Sequence, residues 1–197
     1  MSEQLRVILE VGKKRRVVAG ALDWPGLDRW GTSEADALAK LASYRPRYAG
    51  VAERAGRAAE FARSDTLEVA ERVPGSSSTD FWGIAHVPSQ IEREILSPAD
   101  LERRLELLQA CWAYFDDVAA HAPAELQPGP RSAGRSRDQI VRHVIHNEPG
   151  QFSRKIEVRT PTEVVLTPEG LVAHRQAYLD ALRAYNAAGK PARSWPI

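Results

Sequence analysis

An α+β fold is predicted for this 197-residue chain by three observations: apolar residues that alternate near the N-terminus, a capped helix behind them, and three helix-period stretches after residue 95. Leu5, Val7, Leu9 and Val11 alternate with Arg6, Ile8 and Glu10, so the first set shares one face of a strand. Gly12-Lys13-Lys14 turns the chain into a second β-rich run over residues 15–21, which completes a hairpin. Asp23-Trp24-Pro25-Gly26 is a further turn. Thr32 or Ser33 then caps a helix whose apolar positions include Leu38, Leu41, Tyr48 and Val51. Pro46 lacks an amide donor and is expected to stop or kink that helix near Arg45. Residues 66–73 read as another strand, with Leu67, Val69 and Val73 on one face, ended by Pro74-Gly75-Ser76-Ser77-Ser78.

The pattern changes after Ile95. Ser97-Pro98-Ala99-Asp100 supplies a capping hydroxyl, a first-turn proline and an early acid, and Leu101, Leu105, Leu108, Trp112, Phe115 and Ala119 follow at helical spacing. A connection rich in Pro, Gly and Ala spans residues 123–134. Ser136-Arg137-Asp138-Gln139 resembles a capping box and opens a second helix along Ile140, Val144, Asn147 and Gln151, which Pro149 is expected to kink or split. A third helix starts at Thr167-Pro168-Glu169, carries Leu171, His174, Tyr178, Leu182 and Tyr185 on one face, and stops at Gly189-Lys190-Pro191. The expected organisation is a sheet-and-helix module over residues 1–95 and a three-helix bundle over residues 96–197.

Composition narrows the function classes. Lys+Arg of 27 against Asp+Glu of 26 leaves a formal charge of +1, so no global field draws the chain to nucleic acid or an anionic membrane, and neither is an expected partner. No run approaches the roughly 18 apolar residues of a membrane span, and cytoplasmic residence is expected. The single cysteine, Cys111, forms no internal disulfide and reads as a small apolar side chain. Nucleotide-binding glycine loops, the His-Glu-Xaa-Xaa-His motif and the Gly-Xaa-Ser-Xaa-Gly motif do not occur.

Two segments resemble known families. Residues 18–38, with Asp23-Trp24-Pro25-Gly26 followed by Thr32-Ser33-Glu34-Ala35-Asp36-Ala37, are similar to the HicB-like antitoxin fold. That resemblance implies a small sheet with one helix packed on it and a partner-binding surface, such as that of an antitoxin-like partner of a small RNA-cleaving toxin. From Ser97 onward the chain resembles the DinB-like helical bundles. The matching residues are Gly134-Arg135-Ser136-Arg137-Asp138-Gln139-Ile140-Val141-Arg142-His143-Val144, with Glu148 and the tail Pro191-Ala192-Arg193-Ser194-Trp195-Pro196. The resemblance implies a divalent metal (zinc, nickel or manganese) with His143 as a ligand. The family's His-bearing last helix would begin where the chain stops at Ile197, so the bundle is expected to be one helix short.

Side chains that carry chemistry have two readings each. His143, placed with Ile140 and Val144 on the inner stripe, is a metal ligand or a hydrogen-bonded core histidine. His174 and Glu148 are the further candidates for that site. His86 lies in a loop and His121 near a helix C-terminus, where partial positive charge is favourable. Lys13-Lys14-Arg15-Arg16 is a solvated hairpin tip or a phosphate contact, and Arg131, Arg135 and Arg137 precede a helix N-terminus. Trp24, Trp30, Trp82, Trp112 and Trp195 are expected to anchor cores and the domain junction rather than to stack on bases. The expected function is noncatalytic binding, with a protein partner or a second copy covering the apolar surface of the short bundle. The alternative is a metal-dependent hydrolase or transferase at His143.

Overall fold

The computed structural model describes residues 3–126 and 134–189. Arg131, Trp195 and the tail expected from Pro191 to Pro196 lie outside the described residues. The chain forms two compact units, Met1–Tyr114 and Phe115–Lys190.

The first unit is built on four strands, β1 (Glu3–Val11), β2 (Val17–Ala21), β3 (Asp28–Gly31) and β4 (Ser64–Pro74), in the order β3-β2-β1-β4. The β1–β2 and β2–β3 pairs are antiparallel, and β4 runs parallel to β1. A parallel pair needs a crossover between its strands. Here α1 (Glu34–Arg54) and α2 (Ala58–Arg63) supply it. The Ser33 side chain caps α1 by accepting from the Asp36 amide at 3.1 Å. Pro46 does not stop this helix: α1 continues to Arg54, and Tyr48, Val51 and Ala52 beyond the proline are all buried. Burial of those three side chains outweighs the one hydrogen bond that proline removes.

The α1 side of the sheet carries Leu5, Val7, Leu9, Val17 and Ala19, packed with Leu41, Tyr48, Val51 and Phe61. Trp24 is 1% exposed and meets Phe61 edge-on at 4.8 Å. Leu107 and Ala110 of α4 (Pro98–His121) join the same core. The first unit therefore extends into α4 as far as Tyr114.

The opposite face departs from the alternation at Val73. Val73 does not share a side with Leu67 and Val69, because β4 carries one extra residue between Val69, opposite Val7, and Glu71, opposite Ile8. That bulge reverses the side-chain facing, and Val73 packs instead with Ile8 and Leu22 under Val87 and Ile91. Glu10, on the strand face opposite Leu9, is 1% exposed. The segment after β4 covers it, beginning with the short helix α3 (Ser77–Trp82), whose Ser76 and Thr79 form a capping box.

In the second unit α5 (Arg137–Asn147) starts with the expected Ser136–Gln139 capping box. Pro149 splits the helical path as expected: a wide turn over Glu148–Phe152 and a tight one over Ser153–Ile156 replace the regular helix. The short α6 (Thr162–Val165) precedes α7 (Pro168–Ala187), which Thr167 caps through the Gly170 amide at 3.1 Å. The molecule is thus a mixed α+β protein with one four-stranded sheet among its described residues. No described helix is long and apolar enough to cross a membrane.

Candidate functional site

Two exposed aromatic side chains stand beside the β1–β2 turn. Phe81 is 61% and Trp82 60% exposed, and their rings meet edge to face with centroids 4.5 Å apart. Both belong to α3, which turns Thr79 inward and leaves Phe81 and Trp82 facing solvent. What holds them outward is the polar anchoring of the backbone around them. Glu10 accepts from the Thr79 hydroxyl on one side of the pair, and from the amides of His86 at 2.6 Å and Val87 at 2.8 Å on the other. One buried side chain therefore ties down both ends of the segment that presents Phe81 and Trp82.

The turn itself is organised by Asp80. Its carboxylate accepts from the amides of Lys14, Arg15 and Arg16 at 3.1 to 3.5 Å. Burial works to raise the Asp80 pKa, but these backbone donors outweigh it and hold the carboxyl below its ordinary value. Gly12 is required here, because a Cβ at that position would stand 2.5 Å from the Asp80 carboxylate and 2.7 Å from the Arg16 carbonyl.

Once Asp80 is engaged by backbone, the side chains of Lys13, Lys14 and Arg15 remain exposed and form no ion pair among the described residues. Arg16 differs: it donates to the Phe81 carbonyl at 2.6 Å and lies 4.4 Å over the Trp30 ring. Lys40 approaches the same ring at 5.0 Å. Trp30, 39% exposed, also packs over Gly83, whose φ of 68° suits glycine. Three aromatics and a row of cations thus share one rigid edge of the unit. The expectation that Trp30 and Trp82 anchor cores is corrected by their exposure, whereas Trp24 does anchor one.

A cleft of about 310 Å³ near the start of α4 is lined by Arg6, Asp23, Glu60, Arg103 and Arg104, among others. Its charges are largely used internally. Arg6 pairs with Asp23 at 2.5 Å, and Arg103 pairs with Glu60 at 2.6 Å while lying 4.6 Å over Trp24. Those contacts knit α2, α4 and the Asp23 turn together.

The expected metal candidates all lie in the second unit. His174 is 2% exposed, on the inner face of α7 as its spacing requires. Its Nδ1 lies 2.8 Å from the Thr160 hydroxyl, while Nε2 is buried without a hydrogen-bond partner. Burial lowers its pKa, with Arg175 adding to the effect and Glu148 opposing it. Glu148, 7% exposed, is gripped by both arms of Arg175 at 2.9 and 3.2 Å, and Arg175 reaches Asp116 at 2.7 Å. Tyr178 stacks near His174, and burial together with the Glu148 charge pushes its phenol up to about 12.

His143 does not face inward. It is exposed, and the Asn147 side chain reaches its carbonyl at 2.8 Å and its Nε2 at 3.3 Å. The half-buried apolar positions of α5 are Ile140, Val141, Val144 and Ile145, continuing into buried Glu148, and His143 lies outside that stripe, beyond its Ile140 edge. His143 therefore does not join His174 and Glu148: it lies on the exposed side of α5, and Glu148 is taken by Arg175. Among the described residues, no group of three or more His, Cys, Asp or Glu is placed to hold a metal.

Other singled-out residues have structural surroundings. Burial raises the Cys111 thiol to about 11, against a lowering contribution from the Tyr48 hydroxyl, which leaves little thiolate at neutral pH. His121 is exposed, with Nδ1 2.8 Å from the Asp117 carbonyl. Arg137 donates to the Ala122 carbonyl and pairs with Asp138. Glu10 was hidden from the sequence by its place in an alternating strand; the available signal was Ile8, an apolar residue on the same face. No family model, curated protein or solved structure matches this chain.

Proposed function

We propose that this chain is a noncatalytic binding protein that engages its partner through the aromatic and cationic edge formed by Phe81, Trp82, Trp30 and the Lys13–Lys14–Arg15 turn. The observation that carries this reading is the combination of high exposure with fixed backbone: Phe81 and Trp82 are mostly open to solvent, yet Glu10 and Asp80 secure the segment that bears them. Exposed aromatics next to cations are typical of contact surfaces, and a prearranged surface loses less entropy on binding. The sheet order and the single long helix laid along it support a HicB-like reading of the first unit, for which a partner-binding surface is the implied property. The capped α5 supports a DinB-like reading of the second unit.

Affinity capture with the native chain and with a Phe81→Ala/Trp82→Ala variant tests the proposal. A partner retained by the first and lost by the second supports it, and identical captured sets contradict it. Elemental analysis of protein purified without a tag or chelator tests the noncatalytic part. Well under one equivalent of divalent metal is expected, and about one equivalent, abolished by His143→Ala, would overturn it.

A further inference from the structure

We infer that the partner of this edge is a single-stranded nucleic acid, bound with little regard to sequence, an inference that rests on the binding-protein reading above. A nucleotide strand repeats an anionic phosphate beside a flat, apolar base. The edge offers the matching pair: the Phe81 and Trp82 rings, 61% and 60% exposed, stand beside Lys13, Lys14 and Arg15, whose side chains form no ion pair among the described residues. Stacking platforms next to cations are the working parts of sequence-tolerant single-strand binding, because every base has a π face and every nucleotide a phosphate. The formal charge of +1 averages over the whole chain and does not describe this edge, where Asp80 directs its carboxylate to backbone amides rather than to the cationic side chains, and the cations outnumber it.

Two other anionic partners fit less well. In a lipid headgroup layer the rings would sink below the cations, but Arg16 lies 4.4 Å over Trp30 and Lys40 5.0 Å from it, so burying Trp30 would carry both charges toward the apolar region. An acidic peptide answers the cations and leaves the open aromatic faces without a partner of their own. The site holds no reader for the edges of bases beyond its rings and cations, so weak, salt-sensitive binding is expected.

The test is fluorescence anisotropy of a labelled oligo-dT of roughly twenty nucleotides, which exceeds the footprint of a single small binding domain. Competitors are polyglutamate, blunt duplex DNA and vesicles of phosphatidylcholine with phosphatidylserine. Binding is expected with a Kd that rises with salt along a log-log slope of about 2, from three phosphate contacts at about 0.7 each. The Phe81→Ala/Trp82→Ala variant weakens binding by about tenfold or more, because base stacking is lost. A Lys13→Gln/Lys14→Gln/Arg15→Gln variant flattens the salt slope. All five side chains are exposed, and unchanged circular dichroism confirms that the variants fold. Absence of binding at low salt, equal displacement by polyglutamate, duplex or the vesicles, or indifference to the aromatic variant would each overturn the inference. If oligo-dT fails while the native chain still captures a protein through Phe81 and Trp82, only the choice of nucleic acid falls; if that capture fails as well, so does the binding-protein reading.

Discussion

The buried carboxyl of Glu10 receives the backbone amide of His86 at 2.6 Å, joining the centre of the sheet to the segment that follows the exposed aromatic pair. With Thr79 and Val87 as further donors, Glu10 makes the outward projection of Phe81 and Trp82 a property of the fold rather than of a loose loop.

Replacing Glu10 tests that connection. Glu10→Ala leaves two amides and a hydroxyl without their acceptor in a buried setting, and a loss of about 3 kcal/mol in unfolding free energy is expected from urea titration. Glu10→Gln, which keeps an acceptor oxygen, costs less. Amide exchange at His86 and Val87 accelerates selectively in the alanine variant. Unchanged exchange there would show that the segment is held by something else.

Gly83 and Gly56 separate backbone strain from steric contact. Both have φ near +69°, but a Cβ at Gly83 would lie 2.6 Å from the Trp30 ring, whereas nothing lies within 4 Å at Gly56. Gly56→Ala is expected to cost about 1 kcal/mol for its conformation alone. Gly83→Ala costs about 1–3 kcal/mol more because Trp30 must move. Equal melting temperatures for the two variants would contradict the packing of Trp30 over Gly83.

How much of this was legible in the sequence depended on whether the signal was local. The caps at Ser33, Ser136 and Thr167 were readable because a hydroxyl and its amide target lie within three residues. The break at Pro149 was readable for the same reason. The facing of Val73 and the burial of Glu10 are not legible locally, because they depend on a bulge opposite β1 and on a cover that arrives about seventy residues later in the chain. His143 lies within about 60° of Ile140 on the helix, but Ile140 is only the edge of a stripe that runs on through Val144, Val141 and Ile145, so His143 falls on the exposed side. The aromatic pair was visible as Phe81-Trp82, but its exposure was not, since aromatic residues more commonly fill cores.

Arg175 is the link on which the second unit's charges depend. Arg175→Ala leaves Glu148 buried without its bidentate partner, and a loss of about 3–5 kcal/mol is expected. Asp116→Asn removes the more exposed arm and costs about 1 kcal/mol or less. In a double-mutant cycle, Glu148→Gln with Arg175→Gln should recover part of the loss. Additivity of the two single variants would contradict a coupled pair.

His174 makes the same unit sensitive to acid. Its folded-state pKa lies below the value of about 6.5 for an unperturbed histidine, so as the pH falls the unfolded chain takes up its proton first. The stabilisation is complete above about pH 6.5 and is lost as pH falls through the depressed folded value. The His174 ring resonances should therefore stay unshifted through pH 6.5 in an NMR titration. His174→Gln should reduce the acid dependence of stability. Titration of His174 near 6.5 would contradict its burial beside Arg175.

The most direct measurement of the central claim is site-specific photocrosslinking in cells, with Trp82→p-benzoylphenylalanine on the proposed edge and Val172→p-benzoylphenylalanine as a control at another exposed position, 71% accessible on α7. A discrete adduct is expected from position 82, absent from position 172 and lost when Lys13, Lys14 and Arg15 are changed to glutamine. Equal crosslinking from both positions, or none from position 82, would contradict a binding surface at Phe81 and Trp82.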